Sequence, residues 1–256
     1  MSGWDAELYM QFSSERTRPS VDLTARIEIS DPERIIDLGC GPGNSTAVLR
    51  QRWPKARITG LDSSPEMIAA ASGSYPHQKW IIGDIATWKA RIPFNVVFSN
   101  AALQWVPRHA ALFPHLFSQV ASGGALAVQM PANFNSPLYL EIVETARDPS
   151  WRHLMGPALK AITKETPPFY YELLRPLAVR LDIWQTEYFH VVESHRAIVE
   201  WFRGTGLRPY LSALDEAESK RFEELLMERY RQVYRPQTDG RVLFPFRRLF
   251  IVAYRA

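Results

Sequence analysis

The chain has 256 residues, 46% hydrophobic and 22% charged, which suits one enlarged α/β domain and excludes a disordered chain or a disulfide-stapled miniprotein. Thirty Lys and Arg against 27 Asp and Glu leave a formal charge of +3, too little to imply a nucleic-acid partner. The single cysteine, Cys40, rules out an internal disulfide. No stretch approaches the roughly twenty apolar residues of a membrane span, and MSGWDAELYMQF lacks the blocks of a signal peptide, so a cytoplasmic location with no membrane partner is expected.

The opening segment, 1–30, carries Trp4, Leu8, Tyr9 and Phe12 on one face and suggests a helical cap over the open end of a sheet. Between 31 and 132, strand-like and helix-like segments alternate, the pattern of a parallel sheet with crossover helices. Residues 34–38, 57–62, 79–82 and 95–99 read as four strands, and Gly123-Gly124 turns the chain into a fifth at 125–130. Ser64, Pro65 and Glu66 supply an N-cap, a proline at the first helical position and an early acid, so a helix starts there. Residues 133–180 read as a helical insert, or lid, begun at Ser136-Pro137 and interrupted at Pro149, Pro157 and Pro167-Pro168. The remainder, 181–256, completes the sheet and an acceptor pocket. It holds a strand at 182–192 with Trp184, Thr186, Tyr188 and His190 on one face, and a final strand at 248–254. Between them Asp215 and Glu218 open an amphipathic helix with Phe222, Leu225, Leu226, Tyr230, Val233 and Tyr234 inward.

The sequence from Asp37, DLGCGPGNST, follows the first strand and opens a helix. Gly39 and Gly41 permit a tight turn and close approach of a ligand at a strand's carboxyl end. A dinucleotide loop counted from Gly39 needs its third glycine at 44, where Asn44 stands, and the Gly-Lys-Ser/Thr of a phosphate loop is absent. Asp37 suits a cationic ligand. Asp62 ends the second strand, where a carboxylate can accept from both hydroxyls of a ribose, and Asp84 ends the third. Cys40 reads as a small buried side chain.

This acid-x-Gly-x-Gly-x-Gly pattern resembles motif I of the class I S-adenosylmethionine-dependent methyltransferases. The resemblance implies a Rossmann-like fold with a mostly parallel seven-stranded sheet and helices on both faces. It also implies S-adenosylmethionine as cofactor and S-adenosylhomocysteine as product, with no metal. By the same resemblance Asp37, Gly39, Gly41, Asn44, Asp62, Ser63, Met67, Asp84, Ile85, Asn100 and Ala101 surround the cofactor, Asp84 taking the adenine amino group, while Gln11 and Arg16 hold the methionine carboxylate.

The fourth strand runs into Asn100-Ala101-Ala102-Leu103-Gln104-Trp105, without the Asn/Asp-Pro-Pro-Tyr/Phe of amino-methylating relatives and without an immediate acid or histidine. A carboxylate acceptor needs no base, since with a reference pKa of about 4 it is an anion at neutral pH. His153, His190 and His195 remain open as bases for another acceptor. The N-terminal Trp4-Asp5, Leu8-Tyr9, Phe12 and Glu15-Arg16 resemble the trans-aconitate 2-methyltransferase family. So do Asn100 to Val106, Leu126 to Pro131, Asp182-Ile183-Trp184, Ser194-His195, Thr205 to Pro209 and Arg248 to Ala253. The resemblance implies transfer of a methyl group to a carboxylate of a small polycarboxylic acid, giving a monomethyl ester. Arginine outnumbers lysine 24 to 6, which suits forked recognition of carboxylates. Arg208 leads as the residue holding such an acid and Arg248 follows, with Gln104 and Trp105 facing the methyl group and Tyr170 and Tyr171 as hydroxyl donors. The alternatives left open are a carrier-bound malonyl group or quinone-like ring as acceptor, or a catalytically silent S-adenosylmethionine-binding protein. A monomer is compatible with the sequence.

Overall fold

The computed structural model describes residues 13–256, with side chains from residue 17 onward. Trp4, Leu8, Tyr9, Gln11 and Phe12 therefore lie outside the described residues, as does the side chain of Arg16. The described residues open with helix α1 (Ser13–Arg26). A Rossmann-like alternation follows: β1 (Arg34–Leu38), α2 (Asn44–Arg52), β2 (Arg57–Asp62), α3 (Pro65–Ser74), β3 (Lys79–Ile82) and β4 (Phe94–Asn100). After a 3-10 turn at Leu103–Trp105 come α4 (His109–Ser118) and β5 (Val120–Pro131). Next are α5 (Pro137–Ala146), α6 (Gly156–Leu159), α7 (Pro167–Leu174), β6 (Arg180–Val192), α8 (His195–Arg203), α9 (Arg208–Leu211), α10 (Glu216–Val233) and β7 (Val242–Tyr254). One seven-stranded sheet has the order β3-β2-β1-β4-β5-β7-β6. Strands β1 to β5 pair in parallel, and β7 runs antiparallel to β5. Among the described residues no helix is long and apolar enough to cross a membrane.

The chain divides into two compact units. One comprises Ser13–Pro131, Thr163–Thr186 and Arg248–Ala256; the other comprises Ala132–Ile162 and Glu187–Arg247 among the described residues. In the first, β1 and β4 are central strands and mainly apolar because both faces are covered: Ile35, Ile36, Leu38, Val96, Val97 and Phe98 are buried. Helix α3 starts where the sequence predicts, with Ser64 accepting from the Met67 amide at 3.2 Å.

The insert departs from the sequence expectation. Pro157 and Pro167 do not interrupt helices; they open α6 and α7 from the first turn, where a missing amide hydrogen costs nothing. Residues 163–180, expected in the insert, fall in the unit that carries the parallel strands. The second unit has its own core, in which Trp151, Phe222, Leu226, Tyr230 and Phe244 are buried and the Trp151 and Phe222 rings lie 5.5 Å apart. Helix α10 is capped as the sequence predicts: Asp215 accepts from the Glu218 amide, and Glu218 accepts from the Asp215 amide. Its inward face is narrower than expected, for Val233 is 38% exposed and Leu225 only partly buried.

Phe222→Ala should lower the free energy of unfolding by about 3–5 kcal/mol, the range for emptying a buried aromatic site. Val233→Ala should change it by less than about 0.5 kcal/mol. Urea unfolding followed by circular dichroism measures both.

Candidate active site

Three parallel strands end together and bring their acids to one edge. Beyond β1 the Gly39 and Cys40 amides both donate to the Leu61 carbonyl, at 2.7 and 3.1 Å, so the turn is tied to β2. Gly39 has φ +71°, and a Cβ there would fall 2.2 Å from the Cβ of Ala102. Gly41, at φ +53°, faces open space. Its amide donates to Asp62 Oδ2 at 2.9 Å, while the Ser64 amide donates to Oδ1 at 3.0 Å. Two amides thus fix the half-buried carboxylate of Asp62, and each oxygen keeps a lone pair for a ligand hydroxyl.

Asp37 is fully buried. Its Oδ2 accepts from the Ser45 and Thr46 hydroxyls, both at 2.6 Å, while Oδ1 is buried without a partner. Burial raises its pKa to about 6; the two hydroxyls oppose the rise and the charge of Asp62 adds to it. A fully buried acid that is mostly charged at neutral pH, with one oxygen unsatisfied, is suited to a cationic group. The Cys40 thiol beside it donates to the Gly41 carbonyl at 3.6 Å. Burial, with the charges of Asp37 and Asp62, pushes this thiol well up, so it supplies no thiolate.

The remaining cofactor candidates spread along the same edge. Asn44 opens α2. Ser63 is exposed, and Met67 and Ile85 are buried. Asp84 is exposed and uses Oδ1 to accept from the Ala86 amide at 2.9 Å, the local turn its residue type favours. Trp88 packs against Phe94, 5.9 Å between ring centres.

Past the end of β4 the backbone is strained. Ala101, a non-glycine residue, sits at φ +55°. Its amide donates to the Gln129 carbonyl at 2.9 Å, and its own carbonyl accepts from Gln104 Nε2 at 2.7 Å. Gln104 is buried, and its Oε1 and the Asn100 Oδ1 lack partners. Thr163 holds this loop from outside, its amide donating to the Gln104 carbonyl at 2.8 Å and its hydroxyl to the Val106 carbonyl at 3.0 Å. Trp105, closing the 3-10 turn, is half-buried.

Beneath that turn lies His109, also buried. Its Nε2 is 2.8 Å from the Leu103 carbonyl, which only accepts, so Nε2 carries the hydrogen. Nδ1 then accepts from the Tyr170 hydroxyl at 2.6 Å. Burial lowers the His109 pKa and raises that of Tyr170. Tyr170 therefore departs from the sequence expectation: its hydroxyl is committed to His109 and props the loop. Tyr171 is 47% exposed.

Arg248, where β7 begins to pair with β5, is buried, with Nη1 3.5 Å from Gln129 Oε1. Arg208 opens α9 in the other unit and is half-buried. Arg203, close in sequence, is engaged on both carboxylate oxygens of Glu223. Of the other histidines, His190 lies among Trp201, Phe244 and Phe246, His195 Nε2 donates to the Tyr234 carbonyl at 2.7 Å, and His153 is exposed. Sequence reasoning passed over Ser45, Thr46, His109 and Gln129. The first two were signalled by hydroxyls directly after the glycine turn. The others carried no local signal, since their partners lie 61 and 119 residues away.

A glycine turn pinned to the neighbouring strand's acid, on a sheet of this order, is the Rossmann-like fold shared with class I methyltransferases. Residues 35–124 match a family described as "Methyltransferase domain". The chain is 45% identical over 256 residues to the trans-aconitate 2-methyltransferase of Rhodopseudomonas palustris (strain BisB18), covering 100% of both. It is 44% identical over 255 residues to that of Azoarcus sp. (strain BH72), again covering 100% of both, and 46% identical over 255 residues to that of Yersinia pestis (strain Pestoides F), covering 99% of both. The chain belongs to the trans-aconitate 2-methyltransferase family. Its fold is shared with the YcgJ protein of Bacillus subtilis, at TM-score 0.62 and 14% identity over 93% of this chain and 98% of that one. A methyltransferase-like protein from Bacillus halodurans C-125 matches at TM-score 0.59 and 15% identity over the same shares.

Because the raised pKa of Asp37 favours its protonated form in the folded state, its contribution to stability is fully present below the unfolded value of 3.8 and is lost as pH rises through about 6. Asp37→Asn mimics the protonated form. Without ligand, the variant should be more stable than the parent by about 3 kcal/mol at pH 8, with the gap closing towards pH 4. Thermal unfolding at both pH values checks this.

Proposed function

We propose that this enzyme transfers the methyl group of S-adenosylmethionine to a carboxylate of trans-aconitate, giving the monomethyl ester and S-adenosylhomocysteine. The observation that carries the acceptor is the likeness, at about 45% identity over essentially the whole chain, to trans-aconitate 2-methyltransferases. The donor side rests on the residues themselves. Asp62 offers a fixed carboxylate to the ribose diol, Asp37 an unsatisfied carboxylate oxygen to cationic charge, and Gly41 an open approach. Ile85, Met67 and Asp84 are assigned to the adenine side, and Asn100 and Ala101 to the methionine side with Gln11 and Arg16.

The cofactor, when bound, supplies an electrophilic methyl on a sulfonium sulfur. The chain's own task is to bring an anion in line and to keep water away. The acid needs no base to deprotonate it, because its carboxylates are ionised at neutral pH. His109 matches this economy, being held neutral as a prop between Leu103 and Tyr170. Gln104 and Trp105 are assigned to the face of the transferring methyl. Arg208 and, after it, Arg248 are separate candidates for the cation that holds the acid, as guanidinium forks fit carboxylates and stay charged. The enzyme is read as cytoplasmic, with a small anionic acid as partner and no role for nucleic acid.

Labelled S-adenosylmethionine should lose its methyl group to trans-aconitate, with a monomethyl ester seen by mass spectrometry; turnover of a quinone or of a malonyl carrier with none on aconitates would displace this reading. Asp62→Ala should weaken S-adenosylhomocysteine binding at least tenfold by calorimetry, as expected for hydrogen bonds to a charged group of about 1.5–3 kcal/mol. Arg208→Ala should raise KM for the acid about tenfold or more while leaving cofactor affinity within about twofold. The reverse pattern would move Arg208 out of the acid site.

A further inference from the structure

Near the carboxyl ends of β4 and β5, where the middle of β7 runs beside β5, the fold leaves hydrogen-bonding capacity unused. Gln129 is fully buried. It faces Asn100 across the parallel β4·β5 pair and Phe250 across the antiparallel β5·β7 pair, where Pro131 faces Arg248. Residues two apart on a strand share a face, so Arg248, Phe250, Gln129 and Asn100 lie on one side of the sheet. Arg248 Nη1 approaches Gln129 Oε1 at 3.5 Å. The other end of the same amide, Nε2, is buried with no acceptor. The Oε1 of Gln104, from the loop hydrogen-bonded to the Gln129 backbone through Ala101, is likewise unsatisfied. An apolar side chain would fill the Gln129 site without the free-energy cost of a buried donor lacking an acceptor.

An amide in this position has a property that neither an apolar residue nor an acid has. It accepts a hydrogen bond from a guanidinium and so orients it, yet it leaves the positive charge intact. It also turns its own N–H bonds towards the same locality. A buried cation and a buried amide donor side by side form a site for an anion.

We propose that Gln129 and Arg248 together form the receptor for one carboxylate of the acid substrate, with Gln129 the specificity-determining residue. Oε1 of Gln129 sets the plane of the guanidinium, and Nε2 donates to the carboxylate that the guanidinium binds. This rests on the carboxylate-acceptor reading given above. The near-isosteric change Gln129→Glu places a fixed carboxylate against Arg248, where it competes with the carboxylate of the substrate. Gln129→Met keeps the volume and removes both hydrogen-bonding ends.

The test titrates the full chain calorimetrically with trans-aconitate and with propane-1,2,3-tricarboxylate, in saturating S-adenosylhomocysteine. Separate titrations with S-adenosylhomocysteine alone and steady-state kinetics accompany it. Gln129→Met should weaken acid affinity about tenfold, equivalent to about 1.4 kcal/mol, and Gln129→Glu should weaken it further. KM for the acid should rise in step while kcat changes by no more than about threefold and S-adenosylhomocysteine affinity by no more than about twofold. Undiminished acid affinity in Gln129→Glu would overturn the proposal, and so would a parallel loss of S-adenosylhomocysteine affinity, which marks a merely structural pair. If the parent chain takes a different carboxylate and Gln129→Glu abolishes that binding, the receptor stands and the trans-aconitate reading falls. If the parent chain binds no carboxylate, both fall.

Discussion

The parallel register of β1, β2 and β4 is the constraint on which the active site depends. Leu38 stands beside Leu61, and Asp37 beside both Gly60 and Phe98, so the three strands run out within a residue or two of one another. Strands that end in step put Asp37, Asp62 and Asn100 at one edge with no further device. The hydrogen bonds from Gly39 and Cys40 to Leu61 then fold the glycine turn over that edge, and Gly41 closes it on Asp62. A slip of one residue would turn Asp37 to the opposite face of the sheet, away from Ser45 and Thr46, and dissolve the arrangement.

The site carries its costs in specific atoms. Asp37 holds a charge in the interior with one oxygen unsatisfied, Ala101 occupies a backbone region unfavourable to alanine, and amide atoms of Gln104 and Gln129 lack partners. Each works against the stability of the folded protein, and each lies at or just beyond the carboxyl end of a parallel strand. The apolar runs of β1 and β4 and the His109–Tyr170 prop surround these defects and hold them in place.

Much of this was legible in the sequence, and the reason is local chemistry. Ile35-Ile36-Asp37-Leu38 reads as a buried strand that delivers an acid to a glycine turn, and Ser64-Pro65-Glu66 as a helix start, and both stand in the fold. Prolines in the insert were harder to read, because the same residue that ends one helix starts the next: Pro157 and Pro167 did the latter. Tyr170 was misjudged for another reason. A tyrosine hydroxyl carries no sign of its partner, and the partner, His109, lies 61 residues away. The outward turn of Val233 likewise depends on where α10 leaves its core, which periodicity alone does not fix.

The antiparallel pairing of β7 with β5 also orders the protein's birth. Domains assemble as the chain emerges from its N-terminus, and pairings between distant segments wait for both to exist. Strands β1 to β4 and the glycine turn are complete within the first hundred residues, whereas Gln129 meets Arg248 only after 119 more have been made. On the ribosome, the strands that carry Asp37, Asp62 and Asn100 are therefore synthesised well before Gln129 and Arg248 can meet.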